Sequence, residues 1–369
     1  MAGVLVLNRN NLIEIKMNKK HNFSAGPCIL PQEVFQKSAE AVLDFNGLGL
    51  SLLEISHRSK DFVAVMDEAR AIVKRLMNLN DDYEVLFLQG GASLQFVMVP
   101  FNLLTTTGKA AYLDTGTWAA GAIKEAQKLG NVEIVASSKA DQYSYIPKNY
   151  TVGKDFDYFH CTSNNTIYGT QMKEFPQVEV PIVCDMSSDI FSRQLDFSKF
   201  DLIYAGAQKN MGPAGTVLVV VKKDVLGRTQ RDIPSYLDYS LHIKKESMFN
   251  TPPVFAVYAS LLTLQHLEQN GGIAVAETKN KAKAELIYNE IDRNPLFEGF
   301  ATIEDRSMMN VSFKLTDESK KEKFDALWKE AGINGLNGHR SIGGYRASLY
   351  NALPLESVQV LVDVMKSLD

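Results

Sequence analysis

The sequence predicts an α/β protein, with a large domain built on a mostly parallel sheet and a small α+β domain closing the chain. Three observations lead there. Short continuous apolar runs alternate with segments of helical periodicity, and runs of that length suit strands buried on both faces. From residue 272 the texture changes to Lys- and Glu-rich helical sequence followed by an alternating strand. The length, 369 residues, exceeds what one ordinary core holds and fits a large domain with a smaller one. The expected division is an N-terminal extension over 1–20, a large domain over 21–271 and a small domain over 272–369.

Taken in order, residues 1–20 lack an apolar core of signal-peptide length and a small-residue cleavage site, and Met17 is itself a candidate start. Over 62–77, Val63, Met66, Ala69, Val73 and Leu76 recur at helical spacing and form an apolar stripe. The run Val85–Leu88 predicts a strand that ends at Gln89-Gly90-Gly91-Ala92-Ser93, where a helical pattern resumes. Further buried strands are expected at Val132–Val135, Ile182–Cys184, Leu202–Tyr204 and Val217–Val221. The apolar stretch Val254–Leu264 is too short for a bilayer and includes Ser260 and Thr263, so it reads as a core helix. The small domain is expected to hold a helix after 272, the strand Met309–Leu315, and a helix with Phe324, Leu327, Trp328 and Ala331 on one face. A Gly-rich segment over 335–344, a strand at Tyr345–Tyr350 and a last helix after Pro354 complete it.

Composition narrows the function. With 45% hydrophobic and 22% charged residues the chain is a packed globular protein. A formal net charge of −4 provides no basic field for nucleic acid or an anionic membrane, so small molecules are the expected partners. Cys28, Cys161 and Cys184 are odd in number and far apart, with no metal-ligand spacing; no metal site is expected, and a reducing, cytoplasmic setting fits.

Four features carry chemistry. Lys209, in Ala205-Gly206-Ala207-Gln208-Lys209-Asn210, lies between an apolar strand and a Gly/Pro-rich turn. Strand ends of α/β sheets bind ligands, and a desolvated lysine there forms Schiff bases. Alone, it more plainly describes a surface lysine in a strand-to-loop turn. Asp185 closes the strand Ile182–Cys184, where a carboxylate suits a protonated ring nitrogen or, more plainly, an Asx turn. The Gly90-Gly91-Ala92-Ser93 turn offers N–H groups and a helix N-terminus to a phosphate, but matches neither a Walker A loop nor GxGxxG. Trp118, in the loop 115–118, is a stacking or a packing residue. The fourth feature is cationic: His57-Arg58, His339-Arg340 and Arg346 suit a substrate with several negative charges, or a solvated surface.

These pieces stand together in the order found in phosphoserine aminotransferases, a family of fold-type I, class V pyridoxal-phosphate enzymes, which the chain resembles over nearly its whole length after residue 20. The resemblance runs from Asn22–Pro27 through the His57-Arg58 segment, Gln89–Gln95, Trp118, Asn164–Ile167, Asp185 and Lys209 to Ser247–Pro253 and Arg346–Ala352. It implies a large pyridoxal 5'-phosphate-binding domain, with Lys209 as the Schiff-base lysine and Asp185 at the ring nitrogen. Trp118 would stack on the ring, Thr166 would lie beside its polar edge, and Ala92, Ser93 and Gln208 would hold the cofactor phosphate. It further implies that Asn250 and Thr251 reach that phosphate from a partner subunit, making a homodimer. His57, Arg58, His339, Arg340 and Arg346 become the substrate's anion clamps. The expected reaction exchanges an amino group between glutamate and 3-phosphohydroxypyruvate, with 4-phosphohydroxythreonine of pyridoxine synthesis as a related substrate. Asn165 stands where many relatives have Glu, and Ala25 where some have a second serine. Another aminotransferase or lyase on the same fold, and a non-catalytic binding homologue, are the rival readings.

Overall fold

The computed structural model describes residues 19–369. Of the first eighteen residues it describes only the strands Val4–Asn8 and Asn11–Ile15, which pair antiparallel. Residues 1–3, 9–10 and 16–18 of the expected extension, Met17 included, lie outside the described residues.

A seven-stranded sheet runs in the order Tyr83–Leu88, Val217–Lys222, Leu202–Gly206, Ile182–Asp185, Tyr158–Thr162, Lys109–Asp114, Asn131–Ser137. Only Val217–Lys222 runs against its neighbours, pairing antiparallel on both sides. All five of Val217 to Val221 are buried, each contributing on the order of 1.5–3 kcal/mol of hydrophobic stabilisation. An all-apolar run therefore marks burial on two faces, not strand direction.

Helices cover both faces. Lys60–Met77 and Val254–Gln269 pack on one, in a core that takes Cys184, Ile203 and Ala205 from the sheet. Gly91–Leu103 and Thr117–Ala126 pack on the other, against Val183, Leu202 and Tyr204. Side chains alternate along a strand, so Asp185 projects on the face of Val183, the same face as the Gly91–Leu103 helix.

Three expectations are corrected by packing. The Val132–Val135 run belongs to the edge strand Asn131–Ser137, which is half-buried or exposed throughout instead of sandwiched. Trp118 stands in the first turn of the Thr117–Ala126 helix, not in a loop. Residues 21–29, placed by sequence with the large domain, touch it at Gly26 and Cys28 but send their apolar side chains into the second core. His21–Asn22 pairs in parallel with Ile333–Asn334, and Phe23 and Ile29 join a core built from residues 284–368. The lone apolar positions of this segment carry no period that names the core receiving them.

That second core surrounds the antiparallel strands Phe297–Gly299, Asn310–Leu315 and Tyr345–Ser348 and the helices Gly272–Arg293, Lys321–Glu330 and Leu355–Lys366.

Candidate active site

The C-terminal ends of the parallel strands converge, which is where open α/β sheets bind ligands. The strand Tyr83–Leu88 leads into Gly90-Gly91, Lys109–Asp114 into Trp118, Tyr158–Thr162 into Thr166, Ile182–Asp185 ends in Asp185, and Leu202–Gly206 leads into Lys209. Residues from all five line one cavity of about 400 Å3, with His339 and Arg346 entering from the small domain.

Lys209 is the centre of it. Its Nζ donates to Thr166 Oγ1 at 2.9 Å. Burial lowers its pKa to about 8, opposed by the charge of Asp185 and reinforced by Arg346. The aliphatic stem passes close to Gly26, whose φ is 135°; a Cβ there would stand 3.2 Å from Lys209 Cγ. Cys28 Sγ donates to the Lys209 carbonyl at 2.6 Å, and burial pushes that thiol up to about 12, so it acts as a neutral donor.

Asp185 is buried, and burial raises its pKa against the opposing pull of Ser187 and Lys209. Ser187 N donates to Oδ1 at 2.9 Å, so the Asx turn expected as the plain alternative does form. That turn uses one carboxylate oxygen, and Asp185 lines the cavity beside Lys209. Behind it Ser163 N donates to the Asp185 carbonyl at 3.0 Å, and its Oγ donates to the buried Asp189 carboxylate. Asp189 in turn pairs with Arg193 at 3.1 Å and accepts from Gln171 at 3.1 Å. This second layer was not read from the sequence; its signal is Asp189 and Arg193 four apart among buried neighbours.

The helix Gly91–Leu103 starts without a side-chain cap, its leading residues Gly90 and Gly91 both at positive φ (83° and 59°), and a Cβ at Gly91 would meet nothing within 4 Å. Uncapped N–H groups and a helix dipole facing open space form an anion cradle. Ala92, Ser93 and Gln208 line the same cavity. Trp118 is 41% exposed, a large apolar surface left at the cavity wall.

Arg346, in the strand Tyr345–Ser348, is half-buried, has no carboxylate within 4 Å among the described residues, and donates only a long bond to the Thr166 carbonyl at 3.5 Å. Burial lowers its pKa, yet guanidinium stays charged. His339 is half-buried with its pKa lowered by burial, then by Arg346 and Arg340, and its Nδ1 lies 2.8 Å from Ser341 Oγ. Five expected residues stay outside this cavity. Arg340 and Arg58 are exposed, and His57 sits half-buried in the turn before the Lys60–Met77 helix. Asn250 and Thr251 lie against Gln89, whose Nε2 donates to the Thr251 carbonyl at 2.7 Å.

Residues 20–361 match the family model described as aminotransferase class-V. A phosphoserine aminotransferase of Flavobacterium psychrophilum is 69% identical over 352 residues, covering 95% of this chain and 99% of that protein. One of Parabacteroides distasonis is 58% identical over 353 residues, with the same coverage. Among solved structures, a phosphoserine aminotransferase described for radiation damage of its Schiff base is 44% identical with a TM-score of 0.92, covering 95% of this chain and 99% of that one. The phosphoserine aminotransferase from Bacillus circulans subsp. alkalophilus is 41% identical with a TM-score of 0.92, at 95% and 98% coverage. A strand-end lysine facing an unpaired arginine thus accompanies similarity along nearly the full length, and the chain belongs to the class-V aminotransferases, among the phosphoserine aminotransferases.

Proposed function

We propose that this protein is a phosphoserine aminotransferase that uses pyridoxal 5'-phosphate to exchange an amino group between glutamate and 3-phosphohydroxypyruvate, giving O-phosphoserine and 2-oxoglutarate. The observation that carries the reading is Lys209, buried at a strand end with a lowered pKa, in one cavity with Asp185 and an arginine that has no carboxylate partner.

The donor set fits the cofactor. The uncapped helix start at Gly91, with Ser93 and Gln208, matches a phosphate; Asp185 matches a protonated ring nitrogen; the open face of Trp118 matches an aromatic ring. Bound pyridoxal phosphate supplies the electron sink that makes an amino acid's α-proton removable. Asp185, one carboxylate oxygen fixed by Ser187 N, would hold a proton at the ring nitrogen with the other. Lys209 Nζ, held by Thr166 Oγ1, would take the proton from the substrate α-carbon and deliver it to the cofactor's aldehyde-derived carbon, and the opposite transfer would protonate the α-carbon of the incoming keto acid. A lysine with its pKa near 8 is poised for both directions. Arg346 grips the α-carboxylate that glutamate and phosphoserine share, while His339, Arg340, His57 and Arg58 serve the distal anion.

The active unit in this reading is a homodimer. Leu43 (82% exposed), Leu48, Leu50 and Leu53 (61% exposed) present an apolar surface on the stretch leading to His57-Arg58. Asn250 and Thr251 stay outside their own chain's cavity, which suits service to a neighbour's. A cytoplasmic setting suits the three free thiols, of which Cys161 donates to Cys184 across 3.7 Å without a disulfide. No helix among the described residues is long and apolar enough to cross a membrane.

The test is an assay of the purified protein with phosphoserine and 2-oxoglutarate, following glutamate release. Turnover that requires the phosphate group supports the reading. Equal turnover of serine or alanine would replace it with a general small-substrate aminotransferase.

A further inference from the structure

Away from the active site, the helix Gly272–Arg293 carries Lys283, which is 1% exposed. Its Nζ donates to the carbonyls of Leu349 at 2.7 Å and Tyr350 at 2.8 Å. No carboxylate stands within 4 Å of it among the described residues. An ammonium has three donors, and burying one without a counter-ion is costly, whereas a methionine would fill the same volume without that cost. Burial, with Lys279 nearby, lowers its pKa to about 7.

Lys283 lines a cavity of about 560 Å3 between its own helix, the turn 351–354 and the start of the helix Leu355–Lys366. Ala282, Ala352 and Leu353 give this cavity apolar walls, and Lys279 and Glu356 line it with opposite charges. Lys279 and Glu356 offset each other, so Lys283, when it holds its third proton, is a buried cation without a counter-ion beside a short apolar surface. A monoanion balances it; a dianion such as phosphate brings a second charge that Glu356 opposes. The gripped carbonyls follow the Arg346 strand, and no residue that lines this cavity also lines the one that holds Lys209 Nζ, Asp185 and Arg346.

We propose that this cavity is a second binding site, for a small organic monocarboxylate that gives Lys283 its counter-ion while its aliphatic body packs on Ala282, Ala352 and Leu353. The site is separate from the transamination cavity and does not depend on which amino acid is turned over there.

The holoenzyme, carrying labelled alanine methyl groups, is titrated with butyrate and followed by NMR. Ala352 and Ala282 report this cavity, and Ala92 reports the active site, where a carboxylate also finds Arg346. Saturable shifts at Ala352 and Ala282, in addition to any at Ala92, are expected. Lys283→Met should weaken that binding roughly ten- to a hundredfold, the loss of a charge-assisted hydrogen bond. Ala282→Phe, on the exposed side of the helix, should abolish the Ala352 shift by filling the cavity with Lys283 untouched, and decides alone if Lys283→Met does not fold. Shifts confined to Ala92, no saturable change at Ala352, or equal affinity in the folded variants would overturn the proposal.

Discussion

Burial of single charged groups sets the chemistry at the residue scale. Lys209 is an amine at a pH where a free lysine is an ammonium, because the strand end removes water from it faster than Asp185 restores the charge. Lys209→Ala should abolish turnover and the visible absorption of bonded cofactor; a variant cycling glutamate near the wild-type rate would remove the assignment. Asp185→Asn should keep the cofactor yet lose roughly ten- to a hundredfold in activity, as a charge-assisted bond is exchanged for a neutral one. The lowered pKa has a sign that can be checked. The amine form predominates above about 8, so the rate at which apoenzyme bonds pyridoxal phosphate should climb with pH and level off there. A rate still climbing toward 10.5 would show Lys209 solvated. Arg346→Ala should damage the glutamate and phosphoserine half-reactions alike, about ten- to a hundredfold each. Arg340→Ala should hurt phosphoserine more. Equal losses on both substrates in both variants, followed through the cofactor spectrum, would leave that division without support.

At the scale of elements, position follows from where strands end and helices begin. The Gly91–Leu103 helix presents uncapped N–H groups because glycines at positive φ turn the chain sharply after Leu88. The helix Gly272–Arg293 shows the opposite use of burial, holding Lys283 inside the small-domain core. Its folded pKa of about 7 lies below the unfolded value of 10.5, so between those values the unfolded chain binds the extra proton. Stability should therefore rise with pH across that window, by up to about 1.4 kcal/mol per unit from this residue. Urea unfolding at pH 7, 8 and 9 should show a shallower rise for Lys283→Met than for wild type. Parallel curves would mean that Lys283 is not desolvated in solution.

At the scale of the whole molecule, the proposed dimer shares its active sites between two chains. Lys209→Ala and Asn250→Asp are each expected to inactivate, one by removing the base and one by setting a charge against the cofactor phosphate. If the phosphate site draws Asn250 from the neighbour, a mixed dimer holds one intact site of two. Co-expression then returns up to about a quarter of wild-type activity, since half of randomly assembled dimers are mixed. Activity no greater than the sum of the parents would show each chain to be self-sufficient. Light scattering on the same samples gives the mass of the active species.

The order of strands, turns and chemical groups is written in local sequence, and much of the site was legible there. An apolar run ending in a carboxylate makes Asp185 a candidate, one ending before a lysine and a Gly/Pro turn makes Lys209 another, and Gly90-Gly91 marks the helix start, because each is a property of a few adjacent residues; their roles came from the resemblance over nearly the whole chain. What tertiary structure alone decided is which ends meet. Thr166 reaches Lys209 from 43 positions away, and Arg346 enters the cavity from another domain while Arg340, six residues earlier, stays in solvent. The edge position of Asn131–Ser137 and the defection of Phe23 to the small-domain core were hidden for the same reason. Apolar side chains specify that they will be buried, but hydrophobic attraction has no direction, so the partner that covers them is chosen only when the whole chain has packed.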